Sequence, residues 1–112
     1  DKLRPGEPSA TGAIGLNSDT IQQAVAKEWG VTTEGLRSKT RTKALTAPRQ
    51  VAMYLMRELL GLQLVEIGAA FGGRDHSTVI HSLERVSTML KEEPSFAQRL
   101  MRLRGLLEGL AT

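Results

Sequence analysis

Two adjacent glycines, Gly72 and Gly73, separate two apolar-periodic segments, and this break constrains the chain more than any other feature. Before it, Leu64, Ile67, Ala70 and Phe71 recur at helical spacing. After it, Val79, Ile80, Leu83, Val86, Met89 and Leu90 do the same. Asp75 stands where a helix N-cap belongs, and His76, Ser77 and Thr78 open the second helix. Residues 71–82, FGGRDHSTVIHS, therefore predict a helix-turn-helix with hydrogen-bonding side chains at the start of its second helix. In DNA-binding forms of this motif, such residues reach base edges in the major groove.

The remaining segments extend the helical reading. Residues 1–17 hold Pro5, Pro8, Gly6, Gly12 and Gly15 without sustained periodicity, and predict a linker or disordered tail ahead of a domain spanning residues 18–112. Ser18 or Asp19 caps a first helix carrying Ile21, Ala24, Val25 and Trp29, with Gln22 at capping-box spacing and Gly30 as a left-handed C-terminal cap. A single turn follows, capped by Thr32 or Thr33 and anchored by Leu36. Residues 38–47, SKTRTKALTA, define no buried face and predict a basic loop. Pro48 then suits the first turn of a helix bearing Val51, Ala52, Leu55, Met56, Leu59 and Leu60, which Gly61 ends. Glu92, Glu93, Pro94 and Ser95 start a last helix with Phe96, Leu100, Leu103, Leu107 and Leu110 on one face. The fold class is all-α, with five or six helices.

Composition narrows the function classes. At 112 residues the chain suits one hydrophobic core. Its net charge of +3 is modest, but Arg37, Lys39, Arg41, Lys43, Arg49 and Arg57 fall in one stretch without an acidic residue, so the rest is net acidic. Such a local basic patch is the footprint of a phosphate-binding surface. No cysteine is present, which excludes disulfides and thiolate metal sites and fits a reducing compartment. No apolar run approaches the roughly 20 residues of a membrane span. A first residue of Asp1 instead of Met reads as a fragment or trimmed product.

The candidate recognition surface lies on the second helix of the motif. Ser77, Thr78, His81, Ser82 and Arg85 recur opposite the apolar stripe, forming a face of short donors and acceptors that a groove floor can approach. Asp75 is suited to accept from a cytosine amino group, His76 to donate to guanine or phosphate, and the Thr78 methyl to pack on a thymine methyl. His76 and His81 lie five apart without a third ligand, so no metal site is expected. Asp75, His76 and Ser77 are sequence neighbours that point in different directions and do not make a hydrolytic triad. Trp29 and Tyr54 fall within amphipathic patterns and belong to the core or its edge, which leaves little for base stacking on single strands. Lys39, Arg41 and Lys43 are placed to grip phosphates or enter a minor groove, and Arg49 to meet phosphate at a helix start.

Residues 47–59, APRQVAMYLMREL, followed by residues 66–82, EIGAAFGGRDHSTVIHS, closely resemble the C-terminal DNA-binding domain of the bacterial replication initiator DnaA, and the resemblance runs from about Ser18 onward. It implies an all-helical, Trp-repressor-like domain with a helix-turn-helix and a basic loop. Its partner would be double-stranded DNA at the DnaA box, a short asymmetric site of the type TTATCCACA at the replication origin. The resemblance implies base contacts from Arg41, Val65, Asp75, His76, Ser77, Thr78 and His81, with Arg41 in the minor groove. It implies phosphate contacts from Lys39, Lys43, Arg49, Gln50 and Arg85. Val65 stands where many relatives have proline, and Thr40 and Ala47 where relatives are often basic.

In the complete initiator an ATPase module precedes this domain. No G-x-x-x-x-G-K-[ST] pattern occurs in this chain, so a nucleotide cofactor is not expected, nor any enzymatic activity. The resemblance further implies a cytoplasmic, nucleoid-associated protein whose isolated DNA-binding domain is monomeric. Two other readings remain: a free-standing helix-turn-helix transcription regulator using the same domain, and a protein-interaction domain with the apolar repeat after Pro94 as a dimer seam.

Overall fold

The computed structural model describes residues 16–38 and 43–110. Among these, every regular element is helical: α1 (Ser18–Trp29), α2 (Thr33–Arg37), α3 (Lys43–Leu60), α4 (Leu64–Ala70), α5 (His76–Glu92) and α6 (Pro94–Leu110). The expected tail lies outside the described residues as far as residue 15, and so do Lys39 and Arg41. No helix among the described residues is long and apolar enough to cross a membrane.

The start of α1 differs from expectation by one residue. Asn17, not Ser18 or Asp19, is the cap: its side chain accepts from the Thr20 N–H at 2.9 Å, and Thr20 Oγ1 accepts from the Asn17 N–H at 2.8 Å. Because this reciprocal pair closes the end, Gln22 is not used as a cap. It is buried, donates from Nε2 to Ser18 Oγ at 2.9 Å, and accepts from Arg37 Nε at 2.8 Å. A buried amide satisfied at both ends ties α1 to α2 without an orphan polar group. Gly30 ends α1 at φ 69°, the left-handed conformation expected of it. Thr32 caps α2 by accepting from the Gly35 N–H at 2.9 Å, and Leu36 is fully buried.

The basic loop is shorter than residues 38–47, because α3 begins at Lys43. Pro48 therefore lies inside the helix instead of opening it. Its missing N–H removes one bond, that to the Ala44 carbonyl near the helix end, so helix formers on both sides carry the helix across it. Pro48 is also buried, which compensates for the lost bond. The helix continues through a broad apolar face, with Val51, Ala52, Met53, Leu55 and Met56 fully buried, and ends at Gly61, φ 65°.

α3 and α5 pack against each other most extensively; α4 lies against α5, and α1 and α6 close the other side. Phe71, Ile67, Val79 and Val86 bring the two helices of the motif into the shared core. Each such side chain contributes about 1.5 to 3 kcal/mol through burial. α6 turns Leu100, Leu103 and Leu107 into that core, and Arg99 fastens it to α1 by donating from Nε to Glu28 Oε2 at 2.8 Å and from Nη2 to the Glu28 carbonyl at 2.7 Å. The Arg99 guanidinium also stacks 4.2 Å from the Trp29 ring centroid, placing Trp29 at the core edge as its pattern suggested. The leucines that would form a dimer seam are thus largely used within the chain; of that repeat only Leu110 is exposed.

Candidate nucleic-acid interface

The turn of the motif is built from glycine chemistry. Gly72 and Gly73 adopt φ values of 84° and 80°, which side-chain-bearing residues reach only with strain. The reversed backbone converges on one acceptor: the Gly68 carbonyl takes the N–H groups of Phe71 at 3.1 Å, Gly73 at 3.0 Å and Arg74 at 2.9 Å. Gly68 itself is buried against the returning strand of the turn, and a Cβ on it would collide with the Arg74 carbonyl oxygen. No apolar or capping pattern points to Gly68, although a glycine inside a helical segment costs stability unless packing calls for it.

Asp75 caps α5 as expected, its Oδ1 accepting from the Thr78 N–H at 2.8 Å. This bond holds the carboxyl pKa below its ordinary value, with the nearby His81 contributing in the same direction. A depressed carboxylate stabilises the fold above its unfolded pKa and loses that contribution as pH falls through the lower folded value. Stability measured from about pH 6 down to about pH 2 should therefore fall more steeply in the wild type than in Asp75→Asn, which keeps an acceptor but cannot titrate. Parallel curves would remove the charged cap from the account.

The start of α5 is open to solvent along one face. His76, Ser77, His81 and Arg85 are exposed, and Thr78 is half-buried. Ser77, His81 and Arg85 follow at four-residue intervals and so form one stripe. Ser82 departs from the expected polar face: it is buried and donates to the Thr78 carbonyl at 2.9 Å, the usual way a helix satisfies a buried hydroxyl. Ile80, assigned to the apolar stripe, is 39 % exposed. Val65 projects from the first turn of α4 at 70 % exposure, Lys43 is exposed at the start of α3, and Gln50 is half-buried about two turns further along.

Arg49 corrects the expectation of an open phosphate contact. Because α3 starts at Lys43, Arg49 lies well inside the helix and only 7 % of it is exposed. Its Nε donates to the Leu36 carbonyl at 2.8 Å, and its Nη2 to the carbonyls of Gly35 and Ser38, each at 3.0 Å. The guanidinium thus caps the C-terminal end of α2, where unpaired carbonyls and the negative end of the helix dipole gather. Burial lowers its pKa, and the charge of Arg74 lowers it further. Arg74, which no pattern singled out, reaches the same place: its Nη2 donates to the Ser38 carbonyl at 2.7 Å and its Nε to the Phe71 carbonyl at 3.2 Å.

Comparison with known proteins agrees with this fold. A solved crystal structure of a DNA replication initiation factor superposes with a TM-score of 0.71 at 31 % identity, covering 83 % of this chain and 30 % of that one. This chain thus spans under a third of that protein's length. Residues 18–86 match the family model of the bacterial DnaA protein helix-turn-helix. That match takes in α1 to α4, the two-glycine turn and the exposed start of α5, and on it the chain belongs to the bacterial DnaA helix-turn-helix family.

Proposed function

We propose that this chain binds double-stranded DNA in bacterial replication initiation, as the part of an initiator that locates the DnaA box. What carries the reading is the open stripe of Ser77, His81 and Arg85 beside His76 and the capping carboxylate of Asp75, on a helix whose start is set by a rigid glycine turn in a family defined by this motif. The DNA-binding domain is residues 18–112, with Asn17 closing its first helix. Asp75, His76, Ser77 and Thr78 read bases in the major groove, with His81 and Val65 at its margin. Arg41 enters the adjacent minor groove, while Lys39, Lys43, Gln50 and Arg85 hold phosphates. The chain acts without a cofactor, in the cytoplasm on the nucleoid, and the ATPase work of the initiator belongs to another module.

The test is fluorescence anisotropy with a DnaA-box duplex and a scrambled duplex of the same composition. Arg41→Ala and His76→Ala should each reduce the discrimination by about 1 to 3 kcal/mol, the usual worth of a base-reading contact. An unchanged affinity ratio in both variants sinks the assignment. With Lys39, Lys43 and Arg85 on phosphates and Arg41 in the minor groove, the plot of log K against log salt should have a slope of roughly −3 to −4. A flat plot is incompatible with phosphate-led binding.

A further inference from the structure

Gly72 and Gly73 supply the positive φ that the turn of the motif needs, and without a Cβ they also bring the widest backbone freedom of any residue type. Arg74, the next residue, is held through both its backbone and its side chain. Its N–H donates to the Gly68 carbonyl at 2.9 Å, and its carbonyl oxygen fills the space that a Cβ on Gly68 would take, so this peptide is packed on α4. Its Nε donates to the Phe71 carbonyl at 3.2 Å, at the other end of the turn. Its Nη2 reaches the carbonyl of Ser38, the C-terminal cap of α2, at 2.7 Å. Arg49 holds that same carbonyl from α3 at 3.0 Å, so α2, α3 and the turn meet at one acceptor. Among the described residues no carboxylate pairs with Arg74, and carbonyl oxygens supply its described side-chain bonds.

We infer that Arg74 is a positioning residue for DNA recognition: by tying the glycine turn to the end of α2 it fixes the entry of α5, and with it the placement of Asp75, His76 and Ser77. The inference rests on the proposed reading of α5 as the helix that reads the DnaA box. Arg74 immediately precedes Asp75, the cap of α5, and the exposed His76 and Ser77 follow at once. Binding groups work only when they are held to within about 0.5 Å of their productive geometry. A bond across 36 residues of sequence removes the freedom of the two glycines at the point where α5 starts. Fork geometry is essential, since Nε and Nη2 serve different carbonyls at once. Arg74 itself takes neither a base nor a phosphate.

The experiment is a double-mutant cycle on the full chain, with His76→Ala, Arg74→Met and the combination, read as the affinity ratio of box over scrambled duplex. Arg74→Met should lower the ratio about tenfold, and His76→Ala should then lower it by less than about threefold, because groups acting through one arrangement are not additive. The salt slope should stay unchanged, whereas loss of a phosphate contact reduces it by about one. Arg74→Lys, run through the same cycle, keeps the charge but not the fork, and should lose most of the ratio while circular dichroism shows native helicity. That arm carries the test where Arg74→Met does not fold. Additive losses, a slope reduced by about one, or a full ratio in Arg74→Lys would each overturn the inference and leave the proposed function standing. A wild type that fails to tell the two duplexes apart overturns the proposed function, and this inference with it.

Discussion

Gly68→Ala is expected to lower the unfolding free energy by about 3 kcal/mol or more, a large effect for one methyl group. The added Cβ meets the Arg74 carbonyl oxygen, a backbone atom that cannot swing aside as a side-chain tip would. Relief requires the turn to move, and the turn is closed by three N–H groups converging on the Gly68 carbonyl. Displacing Arg74 also disturbs its bond to Ser38 and the placement of Asp75 at the start of α5. Urea unfolding followed by circular dichroism would measure the loss, and box binding by the residual folded protein should fall as well. A midpoint within experimental error of the wild type would show that the turn yields freely and that its geometry is not enforced at Gly68. Gly105 provides the control: a Cβ there meets nothing within 4 Å, and alanine should stabilise slightly by helix propensity.

Arg49→Ala should destabilise by about 3 kcal/mol, because it withdraws a charged donor from three carbonyls in a poorly solvated place. A surface phosphate contact behaves in the opposite way, leaving stability alone and lowering the salt slope by about one. The two roles therefore separate cleanly. Denaturation should show a lower midpoint, and binding measured under conditions where the variant remains folded should retain the wild-type slope. Arg49→Lys should recover only part of the stability, since an ammonium cannot reproduce a fork that serves Leu36 through Nε and Gly35 and Ser38 through Nη2. An unaltered midpoint with a reduced slope would return Arg49 to the DNA surface.

Much of the architecture was legible because it is enforced over three or four residues. The 3.6-residue period of apolar positions marked the main helices, Gly30 and Gly61 marked ends that require positive φ, and Asp75 was readable as a cap because its partner is the Thr78 N–H. Errors arose where local signals compete. Asn17 outdid Ser18 and Asp19 because Thr20 returns its bond, and Pro48, a common helix opener, was carried inside α3 by the residues before it. The open residues of α5 follow from its period, yet Ser82 crossed to the buried side, since a serine can satisfy its hydroxyl on its own helix.

The sequence by itself determined the helical class, the break at Gly72 and Gly73, the capped start of α5 and the row of short polar residues behind it, all consequences of backbone sterics and helical periodicity. Only the tertiary structure decided what Arg49, Gly68 and Arg74 do. Arg49 meets carbonyls 11 to 14 residues away, and Arg74 meets one 36 residues away. Gly68 matters because the chain doubles back onto it. An arginine in a basic stretch reads the same whether it faces solvent or buries its fork among carbonyls; the choice is made when packing brings the end of α2, the body of α3 and the turn before α5 to one point.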